Sequence, residues 1–225
     1  MCFNNTIFNY FNVKSINKYI SKRKERRIQY LNSNKKVKLV LGEKINLILS
    51  ILVLIISLIK FDSDLLYGGF CLILASIVSI FFIRIFPYKF KNYEINIIQT
   101  HIFLCIFLGT ILNFYSLMES FDFLLHLSSG FIIPIISIPI ISYFTNKSNI
   151  NISDLPISFL IFIMFCFAST CGIFWEMYEF SGDQLFKTIM QGNSLMDTMT
   201  DIIANTIGTT LFCIMYFFKN KRQVK

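Results

Sequence analysis

Six long apolar stretches run through this chain, and they constrain its fold more than any other feature. A helix needs about 20 consecutive, mostly apolar residues to cross the hydrocarbon core of a bilayer. Each stretch reaches that length, and the 26 phenylalanines of the 225-residue chain contribute to their apolar character. The stretches lie at residues 38–59, 65–86, 95–117, 122–144, 156–180 and 197–218. The sequence therefore predicts an all-α, polytopic membrane helix bundle with about six transmembrane helices.

Basic residues are divided unevenly between the two predicted sides of the membrane. The formal net charge is +8, and ten Lys and Arg residues lie within residues 1–40. With the N-terminus in the cytoplasm, only Lys60 and Lys187 fall on the outer side, which is the positive-inside pattern. An even number of spans returns the C-terminus to the cytoplasm. The charge therefore indicates topology, and we expect the lipid bilayer, not nucleic acid, to be the partner of this chain.

The chain divides into two predicted parts. Residues 1–42 form a basic cytoplasmic segment, which is either a helix lying on the inner leaflet or a disordered tail. Residues 43–225 form the six-span membrane domain, whose first two spans are expected to carry almost no buried polar chemistry and to serve as scaffold. No CxxC pair occurs, so the cysteines are predicted to be free packing residues.

Polar side chains recur at helical spacing in the last three spans. Positions three and four apart share one face of a helix. By the predicted topology these groups lie at the outer ends of their spans, where charges facing lipid would be costly, so we expect them to face one another. The groups are Asp122, His126 and Gly130 in span four, Glu176, Glu179 and Asp183 in span five, and Asp197, Asp201 and Asn205 in span six.

Simpler structural roles are open for several of these residues. Asp122 and Asp197 stand at predicted helix starts, where a carboxylate stabilises unpaired N–H groups. Glu179 could lie in water, and Asn205 could bond across to span five as helix glue. His101, in span three, is expected to make a packing contact or a local hydrogen bond. The set as a whole favours a functional site, because ionisable groups within the membrane usually mark one.

Several carboxylates with one imidazole make a cation site. Oxygen ligands suit Mg²⁺, Ca²⁺ or Mn²⁺, and the added histidine allows Zn²⁺ or Mn²⁺, so a divalent cation is the candidate cofactor. Asn205 is predicted to orient a ligand. The predicted catalytic residues are His126, Glu176 and Asp201, and the predicted cation ligands are Asp122, Glu176, Glu179, Asp197 and Asp201.

Three classes of function fit these residues, and the sequence leaves open whether the chain is an enzyme. The first is a membrane protein that acts on, or binds, an envelope lipid or a lipid-linked precursor. The second is a cation- or proton-coupled transporter, which would need polar residues continuing toward the inner side. The third is a non-catalytic scaffold, in which the acids serve only as caps and helix glue.

Three motifs resemble a known family. The segments FDFLLHLSSG, FWEMYEF and DTMTDIIANTIG, in this order, resemble the YjdF-like family of bacterial multi-spanning membrane proteins over residues 95–215. More distantly, the Asp-x3-Asn-x2-Gly element that includes Asn205 resembles VanZ-like proteins. The resemblance implies a multi-pass protein of the bacterial cell membrane with site residues Asp122, His126, Glu176, Glu179, Asp197 and Asp201, and it transfers no established activity.

Overall fold

The computed structural model describes residues 38–86, 90–192 and 194–221. These residues form seven α-helices, with no β-strand in the described ranges. The helices are α1 (Leu41–Lys60), α2 (Ser63–Ile85), α3 (Asn92–Ile102), the short α4 (Phe114–Leu117), α5 (Phe121–Lys147), α6 (Ile157–Phe186) and α7 (Leu195–Lys221). A π-helix, Phe103–Ile111, continues α3, and a 3₁₀ turn, Ile152–Asp154, lies between α5 and α6.

The predicted six-span architecture is confirmed. Every helix except α4 is long and apolar enough to cross a membrane, if α3 is counted with its π-helical extension. α2 begins two residues before its predicted start because the Asp62 carboxylate caps it, accepting from the backbone N–H groups of Asp64 and Leu65 at 3.1 and 3.0 Å. The predicted basic N-terminal segment lies almost entirely outside the described residues, which begin at residue 38.

Glycines bring α5 and α7 into backbone contact. A Cβ atom at Gly130 would overlap the carbonyl oxygen of Asn205, and one at Gly208 would overlap that of Leu127. The Thr209 hydroxyl also donates to the Gly130 carbonyl at 3.1 Å. This contact fixes the separation of α5 and α7, two of the three helices that carry the polar stripes.

The prediction that the first two spans lack buried polar chemistry is wrong. Glu43 of α1 is fully buried, and its Oε2 accepts from Arg84 of α2 and from the backbone N–H of Val40, each at 2.8 Å. The Asn46 side chain donates to the Gln99 side chain of α3 at 2.8 Å. These bonds tie α1, α2 and α3 together at the end of the bundle opposite the starts of α5 and α7. Residues separated by 41 and 53 positions meet there, so no local motif indicated the network.

The π-helical end of α3 distinguishes this span from the others. The backbone N–H of Leu112 bonds to the carbonyl of Phe107, five residues earlier, at 2.9 Å. The ring of Tyr115 in α4 packs so closely on Gly109 that a Cβ atom there would overlap it. π-Helices are rare and often lie beside functional sites. Here one residue of the segment, Cys105, lines a cavity next to the polar stripes of the last three spans.

Candidate cation site between α5, α6 and α7

Three helices bring five ionisable side chains together, which we call the acidic cluster: Asp122 and His126 of α5, Glu176 and Glu179 of α6, and Asp201 of α7. Asp122 and Asp201 lie in the first two turns of their helices, and Glu176 and Glu179 lie in the C-terminal half of α6. Because α5 and α7 run opposite to α6, all three stripes meet at one end of the bundle. The convergence that the spacing predicted is therefore confirmed for these five residues.

His126 stands at the centre of the cluster. Its Nε2 atom lies 3.6 Å from a carboxylate oxygen of Asp122 and 4.0 Å from one of Asp201. On the opposite edge of the ring, Nδ1 lies 3.6 Å from a carboxylate oxygen of Glu176. These separations are too long for direct hydrogen bonds. The ring therefore faces two carboxylates with one nitrogen and a third carboxylate with the other.

Asp122, His126 and Asp201 have the spacing of a metal-ligand set. One ligand atom from each residue lies within 4.8 Å of the other two. Two ligands of one ion, each bound at about 2.0–2.2 Å, are separated by no more than about 4.4 Å. Movements of a few tenths of an ångström would bring all three atoms into that range. Glu176 lies behind the imidazole, where a carboxylate commonly orients a metal-bound histidine.

Several carboxylate oxygens in the cluster are buried without a hydrogen-bond partner. They are both side-chain oxygens of Glu176, Oε2 of Glu179 and Oδ2 of Asp201. The three residues are only 4%, 6% and 2% exposed, respectively. Burying an unpaired charge costs several kcal/mol, so groups arranged in this way need a bound cation or bound protons. Among the described residues, His126 is the only basic side chain that makes an ion pair with them.

Glu179 is held by its own helix. Its Oε1 accepts a 2.7 Å hydrogen bond from the indole N–H of Trp175, one turn earlier. The alternative that Glu179 lies in water is therefore wrong. The bond fixes one oxygen of Glu179 and leaves Oε2 free to face the cluster.

Asp183 and Asp197 lie outside the acidic cluster, although the sequence predicts Asp197 as a cation ligand. Asp183 closes the loop after α6 by accepting from Thr188 Oγ1, the Met190 N–H and the Gln191 N–H at 2.7, 2.7 and 3.0 Å. Asp197 is half-buried in the first turn of α7, beside Gly192, and does not belong to the set that could hold one ion among the described residues. Its position agrees with a role at the helix start.

Asn205 connects helices instead of facing the cluster as a ligand. Its side-chain amide donates to Ser129 Oγ of α5 at 3.1 Å, and it packs against Gly172 of α6, where a Cβ atom would lie 2.7 Å away. The expected hydrogen bond to span five is thus made to span four. This position supports the interpretation of Asn205 as helix glue.

A cavity of about 260 Å³ extends from the acidic cluster into the bundle between α3, α5 and α6. Asp122 and His126 line one end, and Ile98, Ile133 and Ile136 are among the apolar residues that line the rest. We call it the apolar cavity. A second cavity, of about 610 Å³, lies between α6 and the start of α7 and reaches Glu176 from the other side.

Two residues at the apolar cavity were not assigned to the site from sequence. His101 lines its wall with Nδ1 buried and without a hydrogen-bond partner, which agrees with the packing contact, the first of its two predicted roles. Tyr115 lines the cavity near Asp122, and desolvation together with nearby acidic groups raises its pKa, so its hydroxyl stays protonated. The spacing rules could not place either residue, because each lies on a different helix from the stripes.

A family model described as "Predicted membrane protein (DUF2238)" matches residues 43–222 of the chain. The chain belongs to this family. YjdF-like proteins are DUF2238 members, so that resemblance is confirmed at the level of the family, and the match extends beyond residues 95–215 to include α1 and α2. The likeness to VanZ-like proteins stays a resemblance only.

The comparison with curated proteins adds one relative of this DUF2238 protein. This chain is 29% identical over 126 residues to an uncharacterised protein of Thermotoga maritima. The aligned region covers 56% of this chain and 62% of the relative, so the chain spans less than two thirds of that protein's length. No solved structure matches the chain.

Proposed function

We propose that this membrane protein binds a divalent cation between α5 and α7 and uses it to hold the phosphate-bearing headgroup of a membrane lipid. The observation that carries the proposal is the grouping of Asp122, His126 and Asp201, whose ligand atoms lie within 4.8 Å of one another. Glu176 is the proposed orienting group on Nδ1 of His126, and Glu179 adds negative charge beside the ion. The envelope lipid of a bacterial cell membrane, or a lipid-linked precursor, is the proposed ligand.

The donor set favours Mn²⁺ or Zn²⁺ over Ca²⁺. Ca²⁺ takes six to eight oxygen ligands, whereas two carboxylates and one imidazole match the mixed N and O coordination of Mn²⁺ and Zn²⁺. Three protein ligands leave positions open for water or a ligand, as in catalytic metal sites. A metal ion in this position can activate water or polarise a phosphoryl oxygen.

A phosphate group would need such an ion in order to bind here. Three carboxylates lie within 4.0 Å of His126, and no described Lys or Arg makes an ion pair with them, so an anionic headgroup alone would be repelled. A bound divalent ion would present positive charge to the incoming phosphate oxygen. The apolar surroundings of the cluster suit a ligand that arrives from the bilayer.

Cation- or proton-coupled transport is the second candidate, and one observation favours it. A transporter requires polar groups on both sides of the bundle, and the Asn46–Gln99 bond and the Glu43–Arg84 pair lie at the opposite end from the acidic cluster. His101 lies along the wall between these two regions. The predominantly apolar cavity between them favours lipid binding over an ion path.

Metal analysis of the purified full-length protein tests the proposal. We expect close to one Mn²⁺ or Zn²⁺ per chain and a higher melting temperature when the ion is added. Asp201→Asn should weaken cation affinity by more than about 100-fold, and Glu176→Gln by about 10- to 100-fold because it acts through His126. Asp64→Asn, an equivalent change at an exposed position outside the cluster, should leave the affinity unchanged.

Two results would contradict the proposal. The first is a wild-type protein that binds none of Mg²⁺, Ca²⁺, Mn²⁺ or Zn²⁺. The second is cation binding that survives in folded Asp201→Asn protein. A scaffold role predicts a different pattern, in which Asp201→Asn lowers the melting temperature of the metal-free protein. A cation site predicts an equal or higher one, because the substitution removes a buried charge.

A further inference from the structure

We propose that the apolar cavity is the binding site for one acyl chain of the phospholipid whose headgroup meets the cation. This inference rests on the proposed function and adds a second subsite to it. The cavity shares Asp122 and His126 with the candidate cation site. A ligand that occupies both must therefore have an apolar part and a cation-binding part joined end to end.

The lining of the cavity is suited to a hydrocarbon chain. Isoleucines from two helices, Ile98 and Ile102 of α3 and Ile132, Ile133 and Ile136 of α5, form much of its wall. The polar lining includes Asp122, His126 and Tyr115 at the cluster end, where a headgroup and its linkage would lie. His101 is a polar residue in the deeper part. The change from polar to apolar along the cavity follows the order of a lipid from headgroup to chain.

The size of the cavity favours a single chain. Its volume is about 260 Å³, slightly below the range of roughly 300–1,000 Å³ found for small-molecule pockets. The lining residues of α5 extend from Asp122 to Ile136, which corresponds to about 21 Å of helix. A long and narrow space of this kind admits one extended chain and excludes a complete two-chain lipid. The second chain would stay in the bilayer.

The bilayer itself argues for this occupant. The walls of the cavity belong to helices long and apolar enough to cross a membrane, so the cavity lies at the depth of lipid chains. Moving a chain from the bilayer into this cavity exchanges one apolar environment for another, so little affinity comes from the chain. The headgroup and cation provide the affinity, and the cavity selects ligands by chain number and shape.

A photoreactive phosphatidic acid, with a diazirine in the middle of one acyl chain, tests the inference. Full-length protein loaded with Mn²⁺ would be irradiated with this probe in phospholipid nanodiscs, and the adducts located by mass spectrometry. We expect adducts on the cavity-lining parts of α3 and α5. Ile133→Trp, which fills the cavity, should reduce these adducts at least tenfold while Mn²⁺ affinity stays within threefold of wild type.

Ile77→Trp is the matched control, because Ile77 lies on α2, is 52% exposed and does not line the cavity. It should leave both adducts and Mn²⁺ affinity unchanged. If Ile133→Trp does not fold, Ile133→Phe replaces it, with at least a threefold reduction expected. Adducts confined to bilayer-facing side chains, or equal yields in wild type and the folded Ile133 variant, would overturn the inference. Such a result with Mn²⁺ still bound would contradict the acyl-chain site alone. Absence of Mn²⁺ binding would contradict the proposed function as well.

Discussion

Glu176 and Glu179 lie three positions apart on α6 and yet have different neighbours. Glu176 faces Nδ1 of His126 at 3.6 Å, whereas Glu179 accepts a hydrogen bond from Trp175. Helical spacing predicts that both carboxylates lie on the face of α6 that meets α5 and α7, and both belong to the acidic cluster. It could not predict which carboxylate meets which ring nitrogen, because that depends on the register of α6 against α5. The proposed division of roles among the carboxylates therefore depends on the structure and not on the motif.

Asn205 gives a test at the scale of one residue. Replacing it with alanine removes the bond to Ser129 and leaves a small void against Gly172. We expect Asn205→Ala to lower the free energy of unfolding by about 1–3 kcal/mol, the cost of losing a buried polar contact. Cation affinity should change less than threefold. Chemical denaturation and metal titration of the same preparation would show both effects.

Ser128→Ala is the control for this prediction, since the Ser128 hydroxyl bonds only within α5, to the carbonyl of Leu125 at 2.8 Å. It should have little effect on either quantity. A loss of cation affinity above tenfold in folded Asn205→Ala protein would instead support the ligand-orienting role predicted from the sequence.

At the scale of elements, the contact between α5 and α7 determines the geometry of the candidate site. Asp122 and His126 lie on one helix and Asp201 on the other, so the distance between these helices sets the distance between the proposed ligands. Gly130 and Gly208 make that distance as short as the backbones allow. A side chain at either position would push the helices apart and separate the ligands.

Gly130→Ala tests this relation. The added methyl group overlaps the backbone carbonyl of Asn205, which cannot rotate away as a side chain could. We expect a loss of about 1–3 kcal/mol in the free energy of unfolding, typical of overpacking, together with at least tenfold weaker cation binding. Thermal unfolding and metal titration would measure the two effects.

Gly182→Ala is the matched control, because its Cβ atom would meet side-chain ends and no backbone, namely Met190 Sδ at 3.0 Å and Thr188 Oγ1 at 3.4 Å. Both quantities should stay near the wild-type values. Wild-type cation affinity in Gly130→Ala protein would show that helix separation does not control the site.

Element by element, apolar length was enough to predict the six spans, because a membrane-spanning helix needs little more than about 20 apolar residues. The ends were less predictable. α6 continues to Phe186, six residues past its predicted end, because polar residues can extend a helix beyond its apolar part. The π-helix at Phe103–Ile111 has no sequence signal, and the Asn46–Gln99 bond joins residues 53 positions apart, which no local motif relates.

For the whole molecule, the orientation of the bundle decides which side of the membrane the acidic cluster faces. The distribution of basic residues predicts that the loop between α6 and α7 lies outside and the turn after α5 lies inside. Cysteine labelling in intact cells tests this. Ile189 lies in the loop between α6 and α7 and is 68% exposed, so a cysteine placed there by Ile189→Cys should react with a membrane-impermeant maleimide.

Ile150 lies in the turn after α5 and is 43% exposed, so a cysteine placed there by Ile150→Cys should react only after the cells are permeabilised. The unsubstituted protein, with its own cysteines, gives the background. The reverse pattern would show that the predicted topology is inverted and that the cluster faces the cytoplasm.

The polarity of α7 also has a consequence for biogenesis. This helix is the least apolar of the six candidate spans, and its first half carries Asp197, Asp201 and Asn205. Such a segment partitions poorly into lipid by itself, because each acidic residue opposes release from the translocon. Its partners α5 and α6 precede it in the chain, and α5 presents Ser129, which accepts from Asn205, and His126, which faces Asp201. α7 would therefore enter the membrane against these two helices, and its insertion would complete the candidate site.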